Sequence, residues 1–294
     1  EHLWPQSDSW GQHDYTLLGA QGGASFNEIM EKRYGKPQNE QQFTKWAQWL
    51  NYDGYRAMYE SAGQERLGLL IWMSHSCWPS MVWCTYDYYF EPTAAYFGVK
   101  KACEPLHIQY NPVKKLAEVV NFAGGSKQGL LAKAQVLDMY GKLIKEGSQE
   151  VNVGEDQTVG AVSISEPDEE VYYLKLTLME NGEVVSDNFY VMGKEEDNLQ
   201  ALAKLPMATI AIKSKRFEQK GEEWQGEVEI RNTGTIPALL INLKGGDGEQ
   251  ILPVIYSDNY FSLMPNESKK IKVTYRDEDG RGQAPYVEVS GFNQ

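Results

Sequence analysis

The chain has 294 residues, of which 41% are hydrophobic, and both values are typical of a folded protein with two or three domains. Its 41 acidic and 28 basic side chains give a net charge of −13, which argues against nucleic-acid and anionic-membrane partners because both carry the same sign. No window approaches the roughly 20 apolar residues of a membrane-spanning helix, and three cysteines are too few for a disulfide framework, so we predict buried thiols.

The first 24 residues show neither helical nor strand periodicity and are rich in Gly, Ser, Gln and Trp. We predict a long ordered loop for residues 1–24. The first residue is Glu1 and not Met, so we expect the chain to have been cut from a longer one, and localisation is left open.

Two helices are predicted next. Ser25 and Glu28 have the spacing of a capping box, which predicts a short helix ending near Tyr34. A longer helix is predicted over 39–62, with Gly54 as its weak point, because apolar residues recur there at helical spacing: Phe43, Trp46, Ala47, Leu50, Ala57 and Met58.

The run Leu69–Met73 is apolar, and its length predicts a strand buried on both faces, as in a parallel sheet. A helix is predicted to follow from Thr93 to about Cys103, because Pro92 precedes this segment and Pro105 follows it. Strand, loop and helix together form one βα unit. Its loop would lie at the carboxyl end of the strand, where α/β barrels carry their chemistry.

Beyond Tyr110 the sequence changes to short alternating segments separated by turn residues, which is typical of antiparallel sandwiches. Leu174, Leu176 and Leu178 alternate with polar residues, and Asn181-Gly182 predicts a tight hairpin. We therefore predict three domains, with part of an α/β barrel at 1–110 and immunoglobulin-like sandwiches at 111–204 and 205–294.

The loop after the predicted strand is the candidate site. Trp78 and Trp83 are interleaved with polar side chains, an arrangement that suits a sugar, whose ring offers a flat C–H face and several hydroxyls. The alternative is that both tryptophans merely plug the barrel end. His75, Cys77 and Cys84 are potential metal ligands, but no second ligand pair accompanies them, so we predict no metal and no cofactor.

No complete catalytic constellation is present. Glycosidases commonly use two carboxylates, and many barrel enzymes place the acid after an Asn. Of the two Asn-Glu pairs, Glu40 starts a helix, where an acid favours the dipole, and Glu267 lies in a turn of the last sandwich. The residues alone therefore favour neither Glu40 nor Glu267 as a catalytic acid.

Several segments together resemble glycoside hydrolase family 2, in particular its exo-β-D-glucosaminidases and then its endo-β-mannosidases and β-mannosidases. The resemblance covers most of the chain and rests on these residues: Ile71-Trp72-Met73, Ser76, Trp78, Trp83, Asp87, Ala95-Tyr96, Gly98, Lys100-Lys101-Ala102, 104–110 (EPLHIQY), Tyr190, Leu252-Pro253-Val254, Ser257-Asp258-Asn259 and Ser290-Gly291.

This resemblance implies the fold and the activity of the parent protein. The chain would be its C-terminal part: strand 8, helix 8 and the preceding loop and helices of a (β/α)8 barrel, then two immunoglobulin-like antiparallel β-sandwiches. The parent would hydrolyse β-glycosides with retention through a covalent glycosyl-enzyme. The nucleophile and the acid/base of the family end strands 7 and 4, and neither position lies in this chain, which alone would be inactive.

The resemblance also assigns substrate-binding residues. Trp78, Trp83 and Asp87 match family positions around the sugar, whereas His75 stands where near relatives have Asn, and Cys77 where they have Pro. These two departures leave the identity of the sugar open.

The expected partners are a glycoside or oligosaccharide substrate and the missing N-terminal domains of the parent, with no nucleic acid and no membrane. The family resemblance favours a secreted or periplasmic protein. Alternatives are a β-mannosidase-type activity, or a non-catalytic carbohydrate-binding or structural role for the sandwiches.

Overall fold

The computed structural model describes residues 4–6, 8–13, 23–62, 68–80, 84–195, 198–245, 250–282 and 287–294. The chain forms two compact units. The first unit comprises Glu1–Asp53, Ile71–Phe97 and Leu205–Gln294, and the second comprises Gly54–Leu70 and Gly98–Lys204. The predicted division into domains at 110/111 and 204/205 stays a prediction.

Four helices lie in the described residues: α1 Asp8–His13, α2 Gly23–Tyr34, α3 Glu40–Ala62 and α4 Ala94–Ala102. The last three confirm the predicted helices to within two residues. Two details differ from the predictions. Helix α1 lies within residues 1–24, where a loop is predicted, and α2 begins at Gly23, whereas the capping box predicts a start after Ser25.

Aromatic packing fixes α3 within the first unit. Trp46 and Trp49 lie three residues apart, on one face of the helix, and both are buried. Each ring centroid lies 5.7 Å from that of Tyr34, and Trp49 meets Phe292 edge-to-face at 4.7 Å. The helical periodicity seen in the sequence therefore marks the buried face.

The predicted strand Leu69–Met73 is wrong. The segment has no regular secondary structure. Leu70 is fully exposed, and Trp72 is 76% exposed. A parallel strand forms only where its main chain hydrogen-bonds to a neighbouring strand, and no strand of the described part of the chain pairs with this segment. In the described residues before Leu106, the chain therefore forms helices and loops and lacks the predicted strand.

The second unit contains an antiparallel sandwich of two sheets, in the orders β1-β2-β5 and β4-β3-β6-β7. Leu174, Leu176 and Leu178 are fully buried between the sheets, which confirms the predicted alternation. Asn181 and Gly182 both have positive φ, 52° and 85°, as the predicted hairpin requires. The strands are β1 Leu106–Asn111, β2 Leu116–Asn121, β3 Lys127–Asp138, β4 Leu143–Val153, β5 Gln157–Ser163, β6 Val171–Glu180 and β7 Glu183–Gly193.

A second antiparallel sandwich lies in the first unit, with sheets in the orders β11-β13-β9-β8 and β12-β10-β14. Short 3-10 helices at Gln200–Lys204 and Asp277–Gly280 accompany the sandwiches. The strands are β8 Ile210–Lys220, β9 Glu223–Asn232, β10 Ala238–Gly245, β11 Ile255–Tyr256, β12 Phe261–Leu263, β13 Ser268–Arg276 and β14 Val287–Ser290. Among the described residues, no helix has the length and apolar character needed to cross a bilayer.

Candidate functional site

The candidate loop is held at its base by hydrogen bonds to the main chain. The carbonyl oxygen of Ser74 accepts from the amide of Tyr86 at 2.8 Å and from Thr85 Oγ1 at 3.1 Å. The amide of Thr93 donates to the carbonyl oxygen of Thr85 at 3.0 Å. These hydrogen bonds hold Ser74, Thr85 and Thr93 side by side, just before α4.

Asp87 organises the turn that leads into α4. Its Oδ1 accepts from the amides of Tyr89 and Glu91 at 2.8 and 2.9 Å, and Phe90 adopts a left-handed φ of 67°. One carboxylate oxygen of this half-buried residue is thus occupied by the turn.

His75 belongs to an exposed aromatic surface, which we define as His75, Tyr88, Tyr89 and Phe90. The His75 and Phe90 rings stack at 4.6 Å, and His75 Nε2 lies 3.3 Å from the carbonyl oxygen of Tyr88. All three of Tyr88, Tyr89 and Phe90 are exposed. The structure therefore brings His75 and Asp87 to the same turn.

Trp78 is half-exposed and is held by a residue that sequence reasoning missed. Its ring stacks on His13 at 4.9 Å with an interplanar angle of 24°, and His13 Nδ1 lies 2.8 Å from the carbonyl oxygen of Pro79. Helix α1 thus positions Trp78 from one side. Trp83, the other predicted platform, lies outside the described residues.

The aromatic surface could have been found in the sequence, because Tyr88, Tyr89 and Phe90 directly follow Asp87. The contribution of His13 could not, since 65 residues separate it from Trp78 and no motif links them.

The cysteines only partly match their prediction. Cys84 is buried, with its Sγ 3.4 Å from Ser76 Oγ, but Cys77 and Cys103 are exposed. The prediction of a buried thiol is therefore wrong for Cys77 and Cys103, because both side chains lie at the surface. In the part of the chain that the structure describes, no group of three His, Cys, Asp or Glu side chains is placed to hold a metal.

A cavity of about 440 Å³ adjoins the Asp87 turn within the first unit. Its walls are the first turns of α3, the turn itself and the second sandwich. Lys244 on β10 reaches Glu91 with Nζ 3.3 Å from Oε1, and Gln48 on α3 accepts from the amide of Ala94 at 2.8 Å, which caps α4. The cavity is thus built by contacts across all three walls.

The second unit contains a buried polar network that explains the sequence EPLHIQY. His107 Nδ1 lies 3.2 Å from Glu104 Oε2, and His107 Nε2 lies 3.2 Å from Glu60 Oε1. Tyr190 donates its hydroxyl to Glu60 at 2.9 Å, and the Arg56 guanidinium lies 4.2 Å above the Tyr190 ring. The motif thus supplies the histidine and one of its two carboxylates.

The charges of this network support one another. Burial would lower the pKa of His107, but hydrogen bonds and charge from Glu104 and Glu60 outweigh it and raise that pKa. Burial would likewise raise the pKa of Glu60, but the His107 hydrogen bond and the Arg56 charge lower it. The pKa of Glu104 is lowered against burial by His107 and Lys101. These pKa shifts favour an imidazolium between two carboxylates.

Comparison with known proteins gives two matching domain families. Residues 188–294 match the family described as the exo-β-D-glucosaminidase Ig-fold domain. Residues 119–194 match the mannosidase Ig/CBM-like domain. Together the two matches cover residues 119–294, which include both sandwiches except β1 and the start of β2.

Whole-chain relatives carry glycosidase names. The chain is 30% identical over 309 residues to the exo-β-D-glucosaminidase of Streptomyces avermitilis, covering 91% of this chain and 34% of that protein. It is 25% identical over 359 residues to the mannosylglycoprotein endo-β-mannosidase of Lilium longiflorum, covering 97% of this chain and 37% of that protein.

Among solved structures, the crystal structure of the exo-chitosanase CsxA of Amycolatopsis orientalis superimposes with a TM-score of 0.86 at 28% identity. The superposition covers 92% of this chain and 36% of CsxA. The chain therefore spans about a third of the length of the relatives that it matches.

Proposed function

Because this chain carries immunoglobulin-fold domains of the exo-β-D-glucosaminidase and mannosidase type and is similar to glycoside hydrolase family 2, we propose that it is the C-terminal part of a retaining β-glycosidase. The resemblance predicted from the sequence is thereby confirmed. In the proposed parent, a nucleophile and an acid/base, both carboxylates about 5–5.5 Å apart, act on the glycosidic bond. This chain lines one wall of the sugar site.

One observation carries the proposal. The likeness to CsxA extends over 92% of this chain yet only 36% of the enzyme, at 28% identity and a TM-score of 0.86. A likeness of this extent supports a shared arrangement of helices and sandwiches and leaves the remainder of the enzyme without a counterpart here.

The exposed apolar residues of the segment 69–73 support the same proposal. Leu70 and Trp72 are large apolar side chains, and exposing both is unfavourable by about 1.5–3 kcal/mol each relative to burial. In a complete barrel, neighbouring strands would cover this segment and hydrogen-bond its main chain. The segment would then be the strand that the sequence predicts.

Four side chains of the loop are proposed to meet the sugar. Trp78, steadied by His13, offers an indole ring to the C–H face of a pyranose. Asp87 offers its second oxygen to a hydroxyl or an ammonium group, and His75 packs beside the same turn. Trp83 stays a predicted sugar contact, since it lies outside the described residues. The net charge of −13 favours a cationic amino sugar, consistent with an exo-β-glucosaminidase-like activity.

The direct test is hydrolysis. Purified residues 1–294 are expected to leave p-nitrophenyl β-glycosides intact, because neither catalytic glutamate is proposed to lie in this chain. The longer parent is expected to release p-nitrophenol. An active fragment would refute the proposal, provided that a mock purification shows no activity.

A β-mannosidase-type activity is the second candidate, favoured by the mannosidase domain match over 119–194 and by the lily endo-β-mannosidase. Rates of the parent on p-nitrophenyl β-D-glucosaminide, β-D-mannoside and β-D-galactoside would decide between the two. A glucosaminide rate below the mannoside rate would favour the second candidate.

A purely carbohydrate-binding role for the sandwiches has less support. Trp224 is the only tryptophan after residue 110, and its Nε1 donates to Asp277 at 2.6 Å. Its indole is thus engaged within the sandwich. For residues 111–294 we propose a structural role beside the barrel.

A further inference from the structure

The cavity of the first unit, lined by α3, the Asp87 turn and the second sandwich, has no role in the function proposed so far. Its volume of about 440 Å³ falls within the range of about 300–1,000 Å³ of small-molecule sites. Every lining residue belongs to the first unit, so the cavity is internal to one compact body.

One wall is a single face of α3. Its lining residues recur at i, i+1, i+4, i+5 and i+8, which places them on one side of the helix: Glu40, Gln41, Thr44, Lys45 and Gln48. Two of them are held in place, since Lys45 donates to the main-chain oxygen of Gln294 at 2.9 Å and Gln48 caps α4. Among the described residues, the Glu40 carboxylate and the Gln41 amide have no side-chain partner.

The opposite wall is equally fixed. Asn242 and Lys244 alternate on β10 and therefore share a face of the strand. Asn242 Oδ1 accepts from Asn259 Nδ2 at 3.2 Å, and Lys244 pairs with Glu91. These contacts orient the polar groups before any ligand arrives, which lowers the entropic cost of binding.

The chemistry of the lining fits a sugar better than other small molecules. Carboxylate, amide, hydroxyl and ammonium groups all belong to residues that line the cavity, and Phe292 adds an apolar side chain. A pyranose presents both donors and acceptors together with a C–H face. A multivalent anion is disfavoured because Glu40, Asp87 and Glu91 outnumber the two lysines.

We propose that this cavity is a saccharide-binding site for one or two pyranose rings, formed by Glu40, Gln41 and Thr44 on α3 opposite Asn242 on β10. The sugar class rests on the proposed glycosidase function, whereas the existence of the site rests on the cavity. Asp87 borders both this cavity and the proposed substrate wall. The site would hold part of an oligosaccharide beside the turn.

The test is calorimetric titration of the 294-residue chain with β-1,4-linked glucosamine disaccharide and, separately, β-1,4-linked mannobiose. Thr44→Trp, which fills the cavity, is expected to weaken binding at least about tenfold. Glu40→Gln/Gln41→Ala, which removes a charge and an amide without adding bulk, is expected to weaken it by about three- to tenfold.

The matched control is Glu28→Gln, because Glu28 is an exposed glutamate of α2 that does not line the cavity. It is expected to bind as the unchanged chain does, and circular dichroism checks that each variant is folded. Binding of either disaccharide with this variant pattern supports the site, and the preferred disaccharide identifies the sugar class. No binding of either at about 10 mM, a concentration that detects Kd values near 1 mM, overturns the site, and so does binding that both cavity variants leave unchanged.

These outcomes separate the two proposals. Binding of a disaccharide by this chain needs no catalytic carboxylate. A failure to bind would therefore refute the cavity site and leave the glycosidase proposal standing. Conversely, an inactive parent that still binds a disaccharide in this cavity would refute only the glycosidase proposal.

Discussion

His107 lies between two carboxylates, and we expect these three groups to make the stability of the second unit depend on pH. Its pKa is raised above 6.5 in the folded chain, so its contribution is complete below pH 6.5 and is lost as the pH rises through the folded pKa. The pKa values of Glu60 and Glu104 are lowered below 4.5, so their contributions are present above pH 4.5 and are lost as the pH falls through the folded values.

The free energy of unfolding of the second unit is therefore expected to be greatest between about pH 4.5 and 6.5 and to fall on both sides. Urea unfolding monitored from pH 3.5 to 8.5 measures it. His107→Gln should remove the alkaline decline and weaken the acid decline, because His107 also lowers the pKa values of Glu60 and Glu104. A profile in which the variant and the unchanged chain decline equally above pH 6.5 would contradict the assignment to His107.

Glu60 is the buried centre of the same network, where it accepts hydrogen bonds from Asn188, Tyr190 and His107. Glu60→Ala should destabilise the chain by about 3–5 kcal/mol at pH 6, because it removes the shared acceptor of three buried donors and one of the two carboxylates beside His107. Lys270→Ala, which breaks only the exposed pair with Glu227, is the control and should change stability little. Equal losses in the two variants would show that the network contributes no more than a surface pair.

Trp78 is expected to act in substrate binding. Trp78→Ala in the longer parent should lower kcat/KM about tenfold, equivalent to about 1.4 kcal/mol, by removing a stacking surface. Trp224→Phe, in the second sandwich, is the control and should retain wild-type kinetics. Unchanged kinetics for Trp78→Ala would leave that residue with a packing role on His13.

At the scale of elements, α3 contains a glycine at residue 54 whose main chain is helical and around which a Cβ would meet nothing within 4 Å. Gly54→Ala should raise the free energy of unfolding by about 0.5–1 kcal/mol, since alanine restricts the unfolded chain and favours the helix. Gly182→Ala is the opposite control, because Gly182 has a φ of +85° in the β6–β7 turn and should lose stability. Thermal unfolding of each variant is compared with that of the unchanged chain. A Gly54→Ala variant that is no more stable than the unchanged chain would contradict the prediction.

The helices and the sandwich strands could be predicted because their signals are local. Trp46 and Trp49 repeat at helical spacing, Leu174 to Leu178 alternate, and Asn181-Gly182 specifies its own turn. The conformation of Leu69–Met73 could not be predicted, because a parallel strand forms only beside neighbouring strands. The apolar composition of the segment indicates a buried strand and does not show whether those neighbours are present. Sequence alone thus identified the segment and gave the wrong conformation for this chain.

The candidate site was predictable in its residue types and not in its geometry. Trp78 and Asp87 were found by composition and resemblance, yet the stacking of His13 on Trp78 depends on a distant helix. The hydrogen bonds of Asp87 to its own turn also had no sequence signal beyond the Asp itself. Long-range contacts of this kind arise from the fold.

At the scale of the whole molecule, Leu70 distinguishes the chain alone from the proposed complete enzyme. Leu70→Ser should leave the stability of residues 1–294 almost unchanged, because the side chain is fully exposed. In the longer parent it should destabilise by about 2–5 kcal/mol if barrel strands bury the position. Val113→Ser, at another exposed apolar residue, should be neutral in both proteins. The denaturant midpoint is measured for each substitution in each of the two proteins. A Leu70→Ser substitution that leaves the midpoint of the parent unchanged would argue against a covering barrel.

The first unit is discontinuous, since Glu1–Asp53 and Ile71–Phe97 combine with Leu205–Gln294. On the ribosome, its helices therefore emerge long before the strands that complete their core. At about 5–20 residues per second, the last 90 residues take on the order of 10 s to be synthesised. All residues of the second unit precede Leu205, so its sandwich can be completed first, while the aromatic face of α3 is still without Phe292. During translation this face is the surface that a chaperone would have to protect.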